Sequence, residues 1–338
     1  MFKHPFAIAH GIRDGTDSVF VKLVMNDVAG FGEATLPPYV KESQQSVIDF
    51  ISKISFEDFT DENGLNKHVN FVTPNEGNYA AKAALDIALH DLYGKVNSFS
   101  CLSYLEKYKR PTPAESIYTI GFCSHEELKL KLDEASAFTL IKLKLIGTDD
   151  ESFVALFKRL SNKKFCVDAN QAWKDVEVAK FKVDFLQQQG CVFIEQPMPE
   201  GMEIQMPALQ AIAQIPLIAD ESFQGDNASM ELLHYFDGVN IKLMKCGGLT
   251  RAKNIIQEVH ELQKKIMIGC MSESSCGTSA AAHLMGAADW LDLDGPLLIK
   301  NDPFENIRFA NGQISINKGL GLGIAERASA NLQWQQIA

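Results

Sequence analysis

The sequence predicts an α/β protein built on a (β/α)8 barrel, and three observations lead to this fold class. The chain has 338 residues, of which 46% are hydrophobic and 22% are charged, so it can form a large core. It contains eight short apolar runs whose starts lie 22 to 27 residues apart. Helical patterns fill the segments between the runs, and one strand plus its return helix occupies about this length in such a barrel.

A doubly wound parallel sheet would have the same spacing of strands and helices. That fold normally has a glycine-rich turn after its first strand, and this chain has none. The tail segment Gly319–Gly323 places Ile324 where a third dinucleotide-binding glycine belongs, so we interpret it as a flexible return segment. The eight predicted strands lie near Tyr118–Phe122, Leu140–Leu145, Phe165–Asp168, Val192–Glu195, Pro216–Asp220, Gly238–Leu243, Lys265–Gly269 and Trp290–Leu293.

The segment before the first predicted barrel strand has a different pattern. A β-branched run at Ser18–Val24, a turn at Asn26-Asp27 and a returning segment at Gly30–Glu33 predict an antiparallel pair.

Helices follow this antiparallel pair. We expect one helix over about 42–54 and a stronger one over 78–93, which Gly94 would end. Pro111 and Pro113 then predict a domain junction, because two prolines in three residues continue neither a helix nor a strand.

The composition excludes several classes of protein. A net charge of −11 without a basic stripe argues against nucleic-acid binding. Seven scattered cysteines with no CxxC spacing indicate reduced thiols rather than disulfides or a zinc site. No export signal and no apolar run of about 18 residues are visible, so we expect a cytoplasmic protein without membrane contact. The sequence leaves open whether the chain forms a homo-oligomer.

Three carboxylates end three consecutive predicted strands: Asp168, Glu195 and Asp220. Active sites of barrels lie where the strands end, so these groups should meet at the mouth. They would repel one another without a cation, and an all-oxygen set with open positions suits Mg²⁺. The alternative, a helix N-cap after the strand, accounts for any one of them more readily than for all three.

Lysines lie on either side of the three carboxylates. Lys142 and Lys144 alternate with apolar residues on the second strand, and Lys242 lies on the sixth strand, across the barrel. Beside Mg²⁺ in a dry interior, such a lysine should have a lowered pKa and accept a proton. Two bases on opposite faces of one carbon predict a racemase or epimerase rather than a hydrolase. A solvated surface lysine is the alternative, and it fits poorly within these apolar runs.

The last predicted strand carries a further acidic pair. Asp292 and Asp294 share one face by two-residue alternation and could receive a substrate ammonium group. A turn before Gly295-Pro296 explains Asp294 alone better than it explains the pair.

In combination, these motifs resemble the dipeptide epimerases of the muconate-lactonizing subgroup in the enolase superfamily, over nearly the whole chain. Outside the barrel, Gly32-Glu33-Ala34 and the helix 84–95 support this resemblance. The motifs that carry it are Lys142-Leu-Lys144, Asp168-Ala-Asn170, Ile-Glu195-Gln-Pro197, Ala-Asp220-Glu-Ser222, Asn-Ile-Lys242, Met271-Ser-Glu-Ser274 and Asp292-Leu-Asp294-Gly295.

The resemblance implies a modified (β/α)8 barrel under an α+β capping domain, the enolase-like fold. It places the capping domain at residues 1–112, the barrel at 113–300, and a C-terminal segment that returns to the capping domain at 301–338. The implied reaction is a Mg²⁺-dependent, two-base 1,1-proton transfer through an enediolate, which inverts the α-carbon of the C-terminal residue of a dipeptide.

The resemblance also implies a role for each site residue. Asp168, Glu195 and Asp220 would bind Mg²⁺, and Lys144 and Lys242 would be the catalytic bases. Lys142 would help neutralise the substrate carboxylate, while Asp292 and Asp294 would hold the dipeptide's ammonium group.

The substrate prediction depends on one capping-domain residue. Members of the family that act on Ala-Glu use a loop arginine whose position here is taken by Gly11. Arg13, two residues on, would project to the same side of an extended loop. We therefore predict L-Ala-D/L-Glu, a peptidoglycan-derived dipeptide, as substrate, with small hydrophobic dipeptides second. A solvated loop residue is the alternative role for Arg13.

We consider three alternative functions. A cycloisomerase or acyl-succinate dehydratase of the same subgroup would not need the pair Asp292 and Asp294. A histidine-based acid-sugar dehydratase or racemase is disfavoured, because the sixth strand carries Lys242 and the segment Cys270–Ser275 has no histidine. A non-catalytic binding barrel would not need opposed lysines.

Overall fold

The computed structural model describes residues 1–8, 11–54, 77–102, 115–225 and 229–337. Its centre is a closed barrel of eight parallel strands, which confirms the predicted fold class, and each of the eight apolar runs overlaps one strand. The strands are short and buried on both faces, which is why they appear in the sequence as continuous apolar runs. In order around the barrel they are β5 (Glu115–Ile120), β6 (Leu140–Lys144), β7 (Lys164–Asp168), β8 (Cys191–Glu195), β9 (Leu217–Ala219), β10 (Gly238–Lys242), β11 (Lys265–Gly269) and β12 (Trp290–Asp292).

Helices return the chain between the strands. Side chains cap several of them: Ser124 accepts a hydrogen bond from the Glu127 backbone, and Asp175 accepts two at the start of its helix. Within the described ranges, no helix combines the length and apolar character needed to cross a membrane. The helices are α3 (His125–Glu134), α4 (Asp150–Leu160), α5 (Val176–Gln188), α6 (Met206–Gln210), α7 (Leu243–Cys246), α8 (Leu249–Glu261), α9 (Ser275–Ala282) and α10 (Gly295–Leu298).

The capping domain begins with two antiparallel pairs. The first pair, β1 (Phe6–Ile8) and β2 (Gly11–Arg13), is antiparallel and only three residues long on each strand. The pair β3 (Asp17–Met25) and β4 (Val28–Leu36) is joined by Asn26 and Asp27, whose φ values of 49° and 63° suit a tight hairpin turn. The predicted antiparallel unit is therefore present, with β3 one residue longer at each end than expected and β4 two residues longer at its start and three at its end.

Two helices pack on this sheet: α1 (Gln44–Ile51) and α2 (Tyr79–Val96). The first is shorter than the expected 42–54, because Ser43 caps its start and the chain leaves the helix at Ser52. Glu42 instead accepts hydrogen bonds from the backbones of Ala80 and Ala81 at 2.8 and 3.1 Å, and so caps the start of α2.

The prediction that Gly94 ends the second helix is wrong. Gly94 lies inside α2, which continues to Val96. Its role is steric, since a Cβ at this position would lie 2.5 Å from the Cα of Gly321. The glycine therefore permits close packing of the C-terminal segment rather than a turn. The expected junction at Pro111 and Pro113 lies outside the described residues, and the domain boundaries stay a prediction.

The C-terminal segment runs back to the capping domain and is packed, which differs from the flexible segment we expected. The backbone N–H of Leu322 donates to Asp91 on α2 at 2.9 Å, and the N–H of Cys101 donates to the carbonyl of Gly321 at 2.8 Å. Asp91 also accepts from Lys95 at 2.6 Å, so its buried charge is paired. Four short strands lie along this segment: β13 (Phe304–Glu305), β14 (Arg308–Ala310), β15 (Gln313–Ser315) and β16 (Ala325–Glu326).

Buried carboxylates join the capping domain to the barrel. Asp86 on α2 accepts from the hydroxyl and the backbone N–H of Thr250 at 2.6 and 3.1 Å. Glu33 on β4 accepts from the Ser274 hydroxyl at 2.6 Å and from the Gly277 backbone at 3.0 Å. Each acid therefore meets the free N–H groups at the start of a barrel helix, α8 or α9, which favours a negative charge.

Candidate active site at the barrel mouth

The structure brings the three predicted carboxylates together. Asp168 and Glu195 are paired in the strand register, and Asp220 follows the last residue of β9. All three side chains are buried, and one oxygen from each lies within 4.8 Å of the others. Closely spaced buried carboxylates of this kind need nearby positive charge to remain ionised.

The donor set fits Mg²⁺. It is made of oxygens only, from three adjacent strands, and one of its members, Asp220, lines the pocket. Two further acceptors line the same pocket: Asn170 Oδ1 and Glu221 Oε2 are buried and have no hydrogen-bond partner among the described residues. Such acceptors suit a cation that keeps part of its water shell, because the bound waters donate hydrogen bonds.

The two predicted bases enter the pocket from opposite walls. Lys144 on β6 and Lys242 on β10 lie four strands apart in the eight-stranded barrel. Lys144 Nζ lies 2.5 Å from Asp168 Oδ2, and Lys242 Nζ lies 2.8 Å from Asp220 Oδ2. Both lysines line one pocket, with the three carboxylate strands between them.

The carboxylates make both lysines more basic, which differs from the lowered pKa that the sequence predicts beside Mg²⁺. Burial is the largest single effect and lowers the pKa of Lys144, but the charges of Asp168 and Glu195 act together against it and the pKa is raised. The same opposition raises the pKa of Lys242, with Asp220 as the main partner. A divalent cation on these carboxylates would act in the opposite direction, because it would compete for the oxygens that now hold the ammonium groups.

The three carboxylates differ in charge state. Burial and the charge of Asp168 raise the pKa of Glu195 to about 7, which is the repulsion expected from the sequence. Burial also acts on Asp220, but Lys242 and Lys245 outweigh it and hold its pKa well below the usual range. Lysine partners therefore keep Asp168 and Asp220 ionised. The repulsion within the cluster raises the pKa of Glu195 alone among the three.

Lys142 connects the carboxylate cluster to the predicted ammonium site. Its Nζ donates to Asp292 and, at 3.1 Å, to Glu195. Thr119 on β5 holds both acids of the other pair: its hydroxyl lies 3.2 Å from Asp292, and its backbone N–H donates to Asp294 at 2.6 Å. The structure thus places Asp292 and Asp294 together, facing the pocket beside the carboxylate cluster.

Arg13 lines the same pocket from strand β2 of the capping domain. Its guanidinium donates to the Thr16 hydroxyl at 3.4 Å, and its Nε is buried without a hydrogen-bond partner in the part of the chain described. The predicted loop residue is therefore part of the wall of the pocket.

The sequence interpretation missed two residues that hold the site in place. Lys245 on α7 donates to the Asp220 carboxylate and to the carbonyls of Asp220 and Asn240, at 2.8 and 2.9 Å.

Asn240 donates to Glu195 at 2.6 Å, and Gly269 leaves room for it, since a Cβ there would lie 2.2 Å from Asn240 Oδ1. The sequence contains a signal for Asn240, because it lies two residues before Lys242 on β10 and therefore points to the same face of the strand. Lys245 lies beyond the strand and gives no such signal.

Comparison with known families agrees with this geometry. Residues 1–105 match the mandelate racemase / muconate lactonizing enzyme N-terminal domain, and residues 126–329 match the enolase C-terminal domain-like family. Together these matches span most of the chain. The chain is therefore an enolase-like barrel enzyme with its capping domain, and it belongs to the mandelate racemase / muconate lactonizing enzyme family of the enolase superfamily.

Individual relatives narrow the class further. The chain is 37% identical to the L-Ala-D/L-Glu epimerase of Bacteroides thetaiotaomicron, over 95% of this chain and 84% of the relative. It is 30% identical to the hydrophobic dipeptide epimerase of Roseobacter litoralis, over 92% of each chain. A crystal structure of the Methylococcus capsulatus dipeptide epimerase with Mg and L-Arg-D-Lys superimposes with a TM-score of 0.84, at 29% identity over 96% of each chain. The protein is an isomerase of the epimerase type.

Proposed function

We propose that this protein is a Mg²⁺-dependent dipeptide epimerase that inverts the α-carbon of the C-terminal residue. The observation that carries the proposal is the placement of Lys144 and Lys242 on opposite walls of one pocket, with three carboxylates between them. One lysine removes the α-proton from one face of the carbon, and the other returns a proton to the opposite face. This arrangement is what an epimerisation without net transfer of atoms requires.

The surrounding residues would bind the substrate and stabilise the charge that develops when the α-proton is removed. Asp168, Glu195 and Asp220 would hold Mg²⁺, which supplies Lewis-acid stabilisation of the charge that develops on the substrate carboxylate. Lys142 adds a fixed positive charge on the same side of the pocket. These lysines and carboxylates are buried, so their attractions act in a medium of lower polarity than water.

The proposed dipeptide class follows from the acidic pair at the other side of the pocket. Asp292 is already paired with Lys142, whereas the carboxylate of Asp294 accepts hydrogen bonds only from Thr119 among the described residues. Asp294 therefore has charge available for the ammonium group of a dipeptide. A cycloisomerase or acyl-succinate dehydratase substrate would bring no cation to this position.

Dipeptide binding should weaken in acid through Asp294. Burial and the neighbouring charge of Asp292 raise the pKa of Asp294 to about 6. As the pH falls through that value the carboxyl becomes neutral, so we expect KM to rise below about pH 6 while substrate ionisation stays constant. In Asp294→Asn, KM should be high at every pH, and the rise of KM below about pH 6 should disappear. An unchanged KM profile in Asp294→Asn would contradict the ammonium role.

We further propose that the substrate is L-Ala-D/L-Glu. Arg13 supports this choice, because a guanidinium in the pocket wall with an unpartnered N–H fits a side-chain carboxylate. The relatives named above are an L-Ala-D/L-Glu epimerase, a hydrophobic dipeptide epimerase and a dipeptide epimerase crystallised with L-Arg-D-Lys, so their names alone do not decide the substrate. Small hydrophobic dipeptides are the second candidate, since Met271 and Leu298 also line the pocket.

Arg13 should determine the preference for glutamate. We expect the ratio of kcat/KM for Ala-Glu to that for Ala-Leu to exceed one in the wild type. A charge-assisted pair is worth a few kcal/mol, so the ratio should fall roughly 10- to 100-fold in Arg13→Ala. The exposed cation Lys3, in the same N-terminal region, provides a matched control as Lys3→Ala. A wild type that prefers Ala-Leu, or an Arg13→Ala enzyme with an unaltered ratio, would leave the epimerase proposal standing and reject glutamate.

A further inference from the structure

Two aromatic rings from separate segments flank the guanidinium of Arg13. Its Cζ lies 5.5 Å from the centre of the Phe2 ring and 5.6 Å from the centre of the Tyr39 ring. Phe2 is 4% exposed, and Tyr39 is 42% exposed at the edge of the pocket. Both separations lie in the range of cation–π attraction.

The backbone around Phe2 is held by the residue after strand β2 and by the segment that follows the acidic pair. The backbone N–H of Phe2 donates to the carbonyl of Asp14 at 2.7 Å, and the N–H of Lys3 donates to the carbonyl of Leu298 at 2.8 Å. Phe2 also forms a β-bridge with Ile299. The backbone of this residue is therefore tied to the end of α10, a helix that begins directly after Asp294.

A cation–π contact stabilises the charge of an arginine without occupying its N–H groups as a carboxylate would. Arg13 has such contacts on two sides, while its Nε has no hydrogen-bond partner among the described residues. Its side chain is thus held at the pocket with donor capacity left for a ligand. An arginine fixed in this way loses less conformational freedom when an anion binds.

We propose that Phe2 and Tyr39 form an aromatic clamp that determines specificity by holding Arg13 ready for a carboxylate on the substrate side chain. This inference rests on the proposed dipeptide epimerase function and deepens it. Phe2 and Tyr39 act through Arg13, so they are positioning residues.

The test compares Ala-Glu with Ala-Leu in Tyr39→Leu, Phe2→Leu and the matched control Tyr39→Phe, which keeps the ring. The Ala-Glu to Ala-Leu ratio of kcat/KM should fall roughly fivefold to tenfold in each leucine variant and stay near the wild-type ratio in Tyr39→Phe. Tyr39 is partly exposed, so its variant tests the clamp even if Phe2→Leu folds poorly. In an Arg13→Ala background, Tyr39→Leu should no longer change the ratio, because the clamp has nothing to hold.

The outcomes separate the two proposals. A wild-type preference for Ala-Glu that survives both leucine variants would overturn the clamp and leave the epimerase function intact. Equal losses on both dipeptides would show a general structural role and would also overturn it. A wild type that epimerises neither dipeptide would reject the proposed function and this inference with it.

Discussion

Replacing Lys144 or Lys242 by alanine should reduce epimerisation roughly 1000-fold or more in kcat. Each lysine serves one face of the α-carbon, so neither can replace the other, and a positioned acid–base group contributes about 10²- to 10⁴-fold. Both side chains are buried against carboxylates and lie on opposite walls of the pocket. The measurement is the rate of interconversion of the two Ala-Glu epimers, followed by chiral separation.

A matched variant separates chemistry from folding in this experiment. Lys182 is also buried and pairs with a carboxylate, Asp150, at 2.9 Å, but it does not line the pocket. Lys182→Ala should lower thermal stability and still epimerise Ala-Glu. Near wild-type rates in both Lys144→Ala and Lys242→Ala would show that the two-base assignment is wrong.

Removal of divalent cations should abolish activity, and added Mg²⁺ should restore it. The three carboxylates cannot themselves stabilise negative charge on a neighbouring substrate carboxylate, so the loss should again be about 1000-fold or more. Glu195→Gln should bind Mg²⁺ more weakly, as measured by calorimetry, and yet unfold at a temperature close to that of the wild type.

The stability expectation for Glu195→Gln follows from its charge state. Burial and Asp168 raise the pKa of Glu195 to about 7, so a neutral amide relieves repulsion that offsets the lost contacts. Glu115 begins the first barrel strand, at the opposite end from the mouth, and Glu115→Gln should leave Mg²⁺ affinity unchanged. Full activity after exhaustive metal removal would refute the cofactor prediction.

The sequence was sufficient to predict the barrel and the side chains that meet at its mouth. The reason is geometric: each βα repeat returns a strand end to the same rim, so Asp168, Glu195 and Asp220 must approach one another. Two-residue alternation likewise predicts that Lys142 and Lys144 face the same interior. Both rules use only the spacing of residues along the chain, and the arrangement of these side chains in the structure agrees with them.

Features that depend on contacts between distant segments could not be predicted in this way. Gly94 has the local signal of a helix end, but its environment is set by Gly321 at the other end of the chain. Glu42 caps α2 rather than belonging to α1, which only the packing of the two helices decides. Two features of the site also depend on contacts between separate segments. They are the hydrogen bonds of Lys245 to Asp220 and the aromatic rings around Arg13.

The most direct test of the two-base mechanism is exchange of the substrate α-proton in D₂O, followed by NMR with each Ala-Glu epimer supplied separately. The wild type with Mg²⁺ should replace the α-proton of both epimers by deuterium. Lys144→Ala and Lys242→Ala should not interconvert the epimers, and one of these variants should still exchange the α-proton of a single epimer. Retention of the α-proton by the wild type, or exchange of both epimers at near wild-type rates in both variants, would contradict the mechanism.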